Sequence, residues 1–80
     1  NSIHSKTLNL STVESNISKE LGQIQKKYKK KVEIGSYPFF RLGKVGVSVV
    51  YRSEKKKLLL KVYEDLKKLI NDKKIKLINI

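Results

Sequence analysis

No cysteine occurs in the 80 residues, which excludes a disulfide framework, a thiolate nucleophile and a cysteine-based zinc site, so the fold must rest on its apolar core. The absence is compatible with a reducing compartment, and the expected location is the cytoplasm. No apolar run approaches the roughly 20 residues that a membrane-spanning helix needs. The start Asn1-Ser2-Ile3-His4-Ser5-Lys6 has neither a signal-peptide core nor an initiator methionine. The expectation is a soluble piece excised from something longer, with no membrane partner. Eighty residues bury only about 60 to 65% of their unfolded surface and cannot support two cores, so residues 1–80 read as a single domain.

Acid is scarce. Seven Asp and Glu stand against 19 Lys and Arg, a formal charge of +12, which raises nucleic acid and anionic surfaces as partners. Yet 17 of the 19 basic residues are lysine and only Arg41 and Arg52 are arginine. Readers of bases and phosphates favour the bidentate fork of arginine, so nucleic acid is expected to bind only non-specifically. Catalytic groups are equally thin. His4 is the only histidine, in a stretch expected to fray, and one histidine without a positioned partner makes no triad. Glu64 and Asp65 are helical neighbours that diverge by about 100°, so no carboxylate pair or hard-metal cage is evident. No catalytic, cofactor or metal site is expected.

What the chain does have is regular alternation and two apolar stripes. Leu8 and Leu10 point one way while Thr7 and Asn9 point the other, a strand that stops at Ser11. Ser11-Thr12-Val13-Glu14 spells a capping box, and Val13, Ile17, Leu21, Ile24 and Tyr28 then recur at helical spacing. Lys26, Lys27, Lys29, Lys30 and Lys31 close that helix where cations meet the macrodipole favourably. Val32 and Ile34 begin a short second strand. Gly35-Ser36-Tyr37-Pro38-Phe39-Phe40-Arg41-Leu42-Gly43 contains a proline and two glycines, which demote it to a strand end and a loop. Val45, Val47, Val49 and Tyr51 alternate with Gly46, Ser48, Val50 and Arg52 in the third strand.

Ser53 can cap a second helix, with Leu59, Val62, Leu66, Leu69 and Ile70 as its stripe and Lys61 with Asp65, and Glu64 with Lys68, as ion pairs four residues apart. Ile75 and Leu77, extending to Ile78 and Ile80, offer a fourth strand. The order β-α-β-β-α-β, with both stripes covering one sheet face, gives an α+β fold: a two-layer ferredoxin-like plait with an antiparallel sheet. The predicted sheet core is Leu8, Val32, Ile34, Val45, Val47 and Val49.

That order is also the order of an RNA-recognition motif, but on the third strand Gly46 and Ser48 stand where its stacking rings belong. Gly43-Lys44-Val45-Gly46 spells GxxG, yet it enters a strand rather than joining two helices as in KH domains. There remains the segment Tyr37, Pro38, Phe39 and Phe40, read as a candidate docking loop. Its rings either fold back to close the core or anchor another domain or subunit.

Val32-Glu33-Ile34-Gly35-Ser36-Tyr37-Pro38, with Gly46-Val47-Ser48-Val49-Val50 after it and His4-Ser5-Lys6-Thr7-Leu8 before it, resembles the small domain that follows the molybdopterin-binding-like domain in CinA-like (competence/damage-inducible) proteins and in eukaryotic FAD synthases. The resemblance implies a parent that handles nucleotides, with pyrophosphate hydrolysis of FAD or ADP-ribose in the larger domain, and a non-catalytic accessory role for this chain. The partner it implies is the neighbouring molybdopterin-binding-like domain, or a second subunit in a homo-oligomer. Phe39-Phe40 departs from the family, where more polar residues are frequent, and the lysine excess is not a family signature. The alternative is a basic nucleic-acid-binding module of low sequence specificity. Regulation by a small ligand is weaker, because no polar cluster marks a site.

Overall fold

The computed structural model describes residues 2–78. Five antiparallel or helical elements follow β1 (His4–Ser11): α1 (Ser18–Tyr28), β2 (Glu33–Arg41), β3 (Lys44–Ser53), α2 (Lys56–Asp72) and β4 (Lys76–Leu77). Single 3-10 turns at Glu14–Asn16 and Lys29–Lys31 bracket α1. The sheet runs β2-β3-β1-β4 with every neighbouring pair antiparallel. Each half is a split β-α-β unit, and the whole is the two-layer α+β plait expected from the element order.

Register follows the alternation. Leu8 lies opposite Val49 and Leu10 opposite Val47, and Ile34 lies opposite Tyr51, so one face gathers the apolar side chains. Directly opposed residues share a face. Both helices press their stripes there: Ile17, Leu21, Tyr28, Leu59, Val62, Leu66, Leu69 and Ile70 are buried with Leu10, Val32, Val47, Val49 and Tyr51, while Leu8, Ile24, Ile34 and Ile75 pack partly against them. Val45 belongs to the same face by alternation, yet it is 50% exposed. The hairpin runs on past the end of the helix layer, and Val45 lies on the projecting part.

The capping box does not form. Ser11 stays in β1, paired with Lys76, and α1 begins only at Ser18 without a side-chain cap. Strand pairing holds Ser11 away from the helix end, so Asn16 Nδ2 donates instead to Thr12 Oγ1 at 2.9 Å, and Val13 is left half-exposed. Ser53 likewise stands before the helix rather than capping it. Its hydroxyl donates to the Lys31 carbonyl at 2.7 Å and accepts from the Lys55 amide at 3.1 Å, tying the turn into α2 to the 3-10 turn that follows α1. His4 opens β1 opposite Ser53 rather than fraying. Among the described residues of the expected fourth strand, only Lys76 and Leu77 pair with β1, followed by an Ile78 amide bond to the Asn9 carbonyl at 2.8 Å; Ile80 lies outside the described residues.

Gln25 joins α1 to β2. Its carbonyl oxygen accepts from the Ile34 amide at 2.7 Å, and its Nε2 donates to the carbonyls of Lys29 and Val32. Between the helices, Asp65 does not pair with Lys61 along its own helix. It accepts from the Tyr28 hydroxyl at 2.6 Å and from Lys27 Nζ at 3.1 and 3.2 Å. Just past the C-terminal end of α2, Lys73 bonds Glu20 at 3.0 Å, which holds the Glu20 carboxyl below its ordinary value. Both acids serve helix-to-helix contacts, because each lies on the side of its helix that faces the other.

Two outcomes test this packing. Val47 and Leu66 are 0% and 1% exposed, and truncating either to Ala lowers stability by about 2–4 kcal/mol in chemical denaturation; Ser48→Ala or Lys61→Ala costs little, and equal losses in the two groups refute the register. Burial, then the Asp65 bond, pushes the Tyr28 hydroxyl up from 10.0 to about 12. The folded state therefore holds this proton after the unfolded chain has lost it, so the contribution is complete below pH 10 and is lost as pH rises from 10 towards 12. Melting curves across that window fall more steeply for the unmodified chain than for Tyr28→Phe. The difference isolates Tyr28 from Tyr51, whose hydroxyl is also raised by burial, and parallel curves refute the assignment.

Candidate functional site

The segment Tyr37, Pro38, Phe39 and Phe40 is not a loop. It lies inside β2, which pairs with β3 without interruption from Glu33 opposite Arg52 to Arg41 opposite Lys44. Pro38 is tolerated because β2 is an edge strand of the sheet, where one side of the backbone donates to no ladder. The connection is two residues long. Leu42 and Gly43 have φ of 53° and 75°, as a type I′ hairpin turn requires. The sequence carries no period-two signal here: Gly35, Tyr37, Phe39 and Arg41 on one face and Ile34, Ser36, Pro38 and Phe40 on the other each mix apolar with polar residues, so only pairing with β3 defines the strand.

Strand alternation splits the four residues between two surfaces. Pro38 and Phe40 point to the helix side of the sheet, beyond the helices' reach, and Phe40 is 73% exposed opposite the half-exposed Val45. Leu42 at the turn is 94% exposed. Together Phe40, Leu42 and Val45 make an apolar hairpin tip that nothing among the described residues covers.

Tyr37 and Phe39 point to the opposite face, which neither helix covers. Each ring is laid over a glycine. The Tyr37 hydroxyl, Cε2 and Cζ come within 2.9–3.2 Å of where a Cβ on Gly35 would stand, and the Phe39 Cζ lies closer still to where a Cβ on Gly46 would be. The expected stacking position on β3 is thus empty of its own ring and filled by the ring of the neighbouring strand. Along this face β1 contributes Ser5, Thr7, Asn9 and Ser11, and the Ser48 hydroxyl donates to Asn9 Oδ1 at 2.6 Å.

The same alternation puts both arginines on the uncovered face. Arg41 and Lys44 face each other beside the hairpin turn, and Arg52 faces Glu33 at the far end. There a cleft is lined by Lys30, Lys31, Lys55 and Arg52 together with Glu33 and Glu54. No group of three or more metal-ligating side chains occurs among the described residues. No helix there is long and apolar enough to cross a membrane.

A Cβ on Gly46 would also meet the Leu10 carbonyl at 2.9 Å, and backbone cannot swing aside as a ring can. Gly46→Ala is therefore expected to lower stability by about 1–3 kcal/mol. Gly22→Ala, in α1 with nothing within 4 Å of the new atom, raises it by about 0.5–1 kcal/mol. Thermal melts of the two variants check the opposite signs.

The sequence matches, over residues 2–78, the family described as FAD synthase, middle domain. No curated protein matches it. The match covers the plait from the first strand to the last, including the Gly35-Ser36-Tyr37-Pro38 segment and the strands on either side of it. With residues 2–78 of its 80 so matched, the chain belongs to the FAD synthase middle-domain family.

Proposed function

We propose that the domain is a non-catalytic accessory module of a CinA-like or FAD-synthase-like nucleotide-processing protein, docked through its hairpin tip onto the neighbouring molybdopterin-binding-like domain or onto a second subunit. The chemistry of such a parent, hydrolysis of a FAD or ADP-ribose pyrophosphate, resides in the larger domain, and the module shares its cytoplasmic location. Membership of the FAD synthase middle-domain family supports the class of parent. The single observation that supports docking is Leu42.

A leucine in the left-handed region costs about 1–2 kcal/mol relative to residues that visit it freely, and a type I′ turn favours Asn or Gly at that position. Leu42 has φ 53° and is 94% exposed, so it gains nothing from the fold that would offset this strain. Phe40 and Val45 flank it with further exposed apolar surface. Backbone strain combined with a bare aliphatic side chain fits a contact made outside the domain.

Leu42→Asn separates the two roles of the residue, because the effects on folding and on docking have opposite signs. In the 80-residue chain it leaves the melting temperature unchanged or raises it. In the full-length parent it weakens domain association, and Phe40→Asp does so by about 2 kcal/mol or more if the ring is a central anchor. Domain association measured by limited proteolysis of the interdomain segment, and subunit association measured by sedimentation, decide the matter. Unaltered association in both variants ends the docking reading.

A further inference from the structure

The uncovered face of the sheet is separate from the hairpin tip and carries different chemistry. Its centre holds Tyr37, 53% exposed, and Phe39, two residues further along β2 and so about 6.6 Å away. The glycines at 35 and 46 let these rings lie against the backbone, leaving aromatic surface turned outward rather than plugged into a core. At one end stand Arg41 and Lys44, and at the other Arg52 with Lys30, Lys31 and Lys55, four cations against the two acids Glu33 and Glu54. Lys44 and Arg52 are eight residues apart on β3, a track of about 27 Å. Polar Thr7, Asn9 and Ser48 border the rings, and the bond from Ser48 engages the Asn9 carbonyl oxygen, leaving its NH2 group to donate.

We propose that this face binds single-stranded nucleic acid, with Tyr37 and Phe39 stacking on two successive bases and Arg41, Lys44 and Arg52 contacting the phosphates. Rings between cations form the usual surface for unpaired strands, because every base has a face to stack and every nucleotide carries a negative charge. A track of this length holds about four nucleotides, the lower end of what one small module covers. A duplex presents no base faces to these rings. A second copy of the chain fits less well, since stacking two such faces brings Arg41, Lys44 and Arg52 against the same three cations with Glu33 as the one acid among these paired positions. The site goes beyond the docking role, and it shares neither Phe40 nor Leu42 with it.

The test is fluorescence anisotropy with a labelled oligothymidine of about 10 nucleotides and with the corresponding oligo(dA)·oligo(dT) duplex, between about 50 and 200 mM salt. The single strand is expected to bind more tightly than the duplex, with micromolar or weaker affinity at the higher salt. Tyr37→Ala and Phe39→Ala each weaken it about fivefold or more with the salt slope unchanged. Arg41→Ala and Arg52→Ala each reduce the slope by about 0.7, while Phe40→Ala on the other surface changes nothing. Tyr37 is exposed, so its variant stays folded, which a circular dichroism melt verifies. Equal or tighter duplex binding, or full retention of affinity in Tyr37→Ala, overturns the proposal. Polyglutamate binding that matches the oligonucleotide and is lost with the same rings also overturns it, assigning the face to an acidic protein instead.

Discussion

Two helices with one apolar stripe each can cover one face of a four-stranded sheet, and the rest of this structure depends on that limit. The covered face collects Leu10, Val47, Val49 and Tyr51 under Ile17, Leu59, Val62 and Leu66. Everything the helices fail to reach must be made compatible with water or with a partner. The opposite face therefore carries serine, threonine and asparagine on β1, glycines roofed by rings on β2 and β3, and the two arginines. The hairpin projects past the helices, which leaves Phe40, Leu42 and Val45 bare.

The helices are fixed to each other and to the sheet by few polar contacts, each placed where apolar packing gives no direction. Asp65 takes both Lys27 and Tyr28 from α1, Glu20 takes Lys73, and Gln25 holds the start of β2 through both ends of its amide. Hydrophobic burial is non-directional, so such bonds set how the helices lie over the sheet. In a chain with seven acids against 19 bases, two of those acids serve this purpose, and most lysines are left facing solvent.

The hairpin joins two surfaces of different character through the alternation of one strand. Phe40 and Tyr37 are three residues apart, yet they belong to opposite faces. An apolar tip suits association with another folded domain, whereas rings set between cations suit a polyanion with planar groups. One edge strand can serve both without a shared side chain, because successive residues point in opposite directions.

Periodicity was enough to place two helices, the third strand and the covered face, because the stripes Leu21, Ile24, Tyr28 and Val62, Leu66, Leu69 and the alternation from Val45 to Tyr51 are local properties of the chain. The same reading took Gly35 to Gly43 for a loop. Proline and glycine lower strand propensity locally, but pairing with β3 along nine residues outweighs that preference, and an edge position removes the cost of Pro38. The capping box at Ser11 lost to the pairing of Ser11 with Lys76 for the same reason: a long-range ladder competes for the backbone that the local motif needs. Composition and pattern by themselves determined the class of fold and the face that would be buried. Only the tertiary structure decided that four consecutive residues serve two surfaces, and that a ring from β2 stands over a glycine of β3, since both follow from which strands become neighbours.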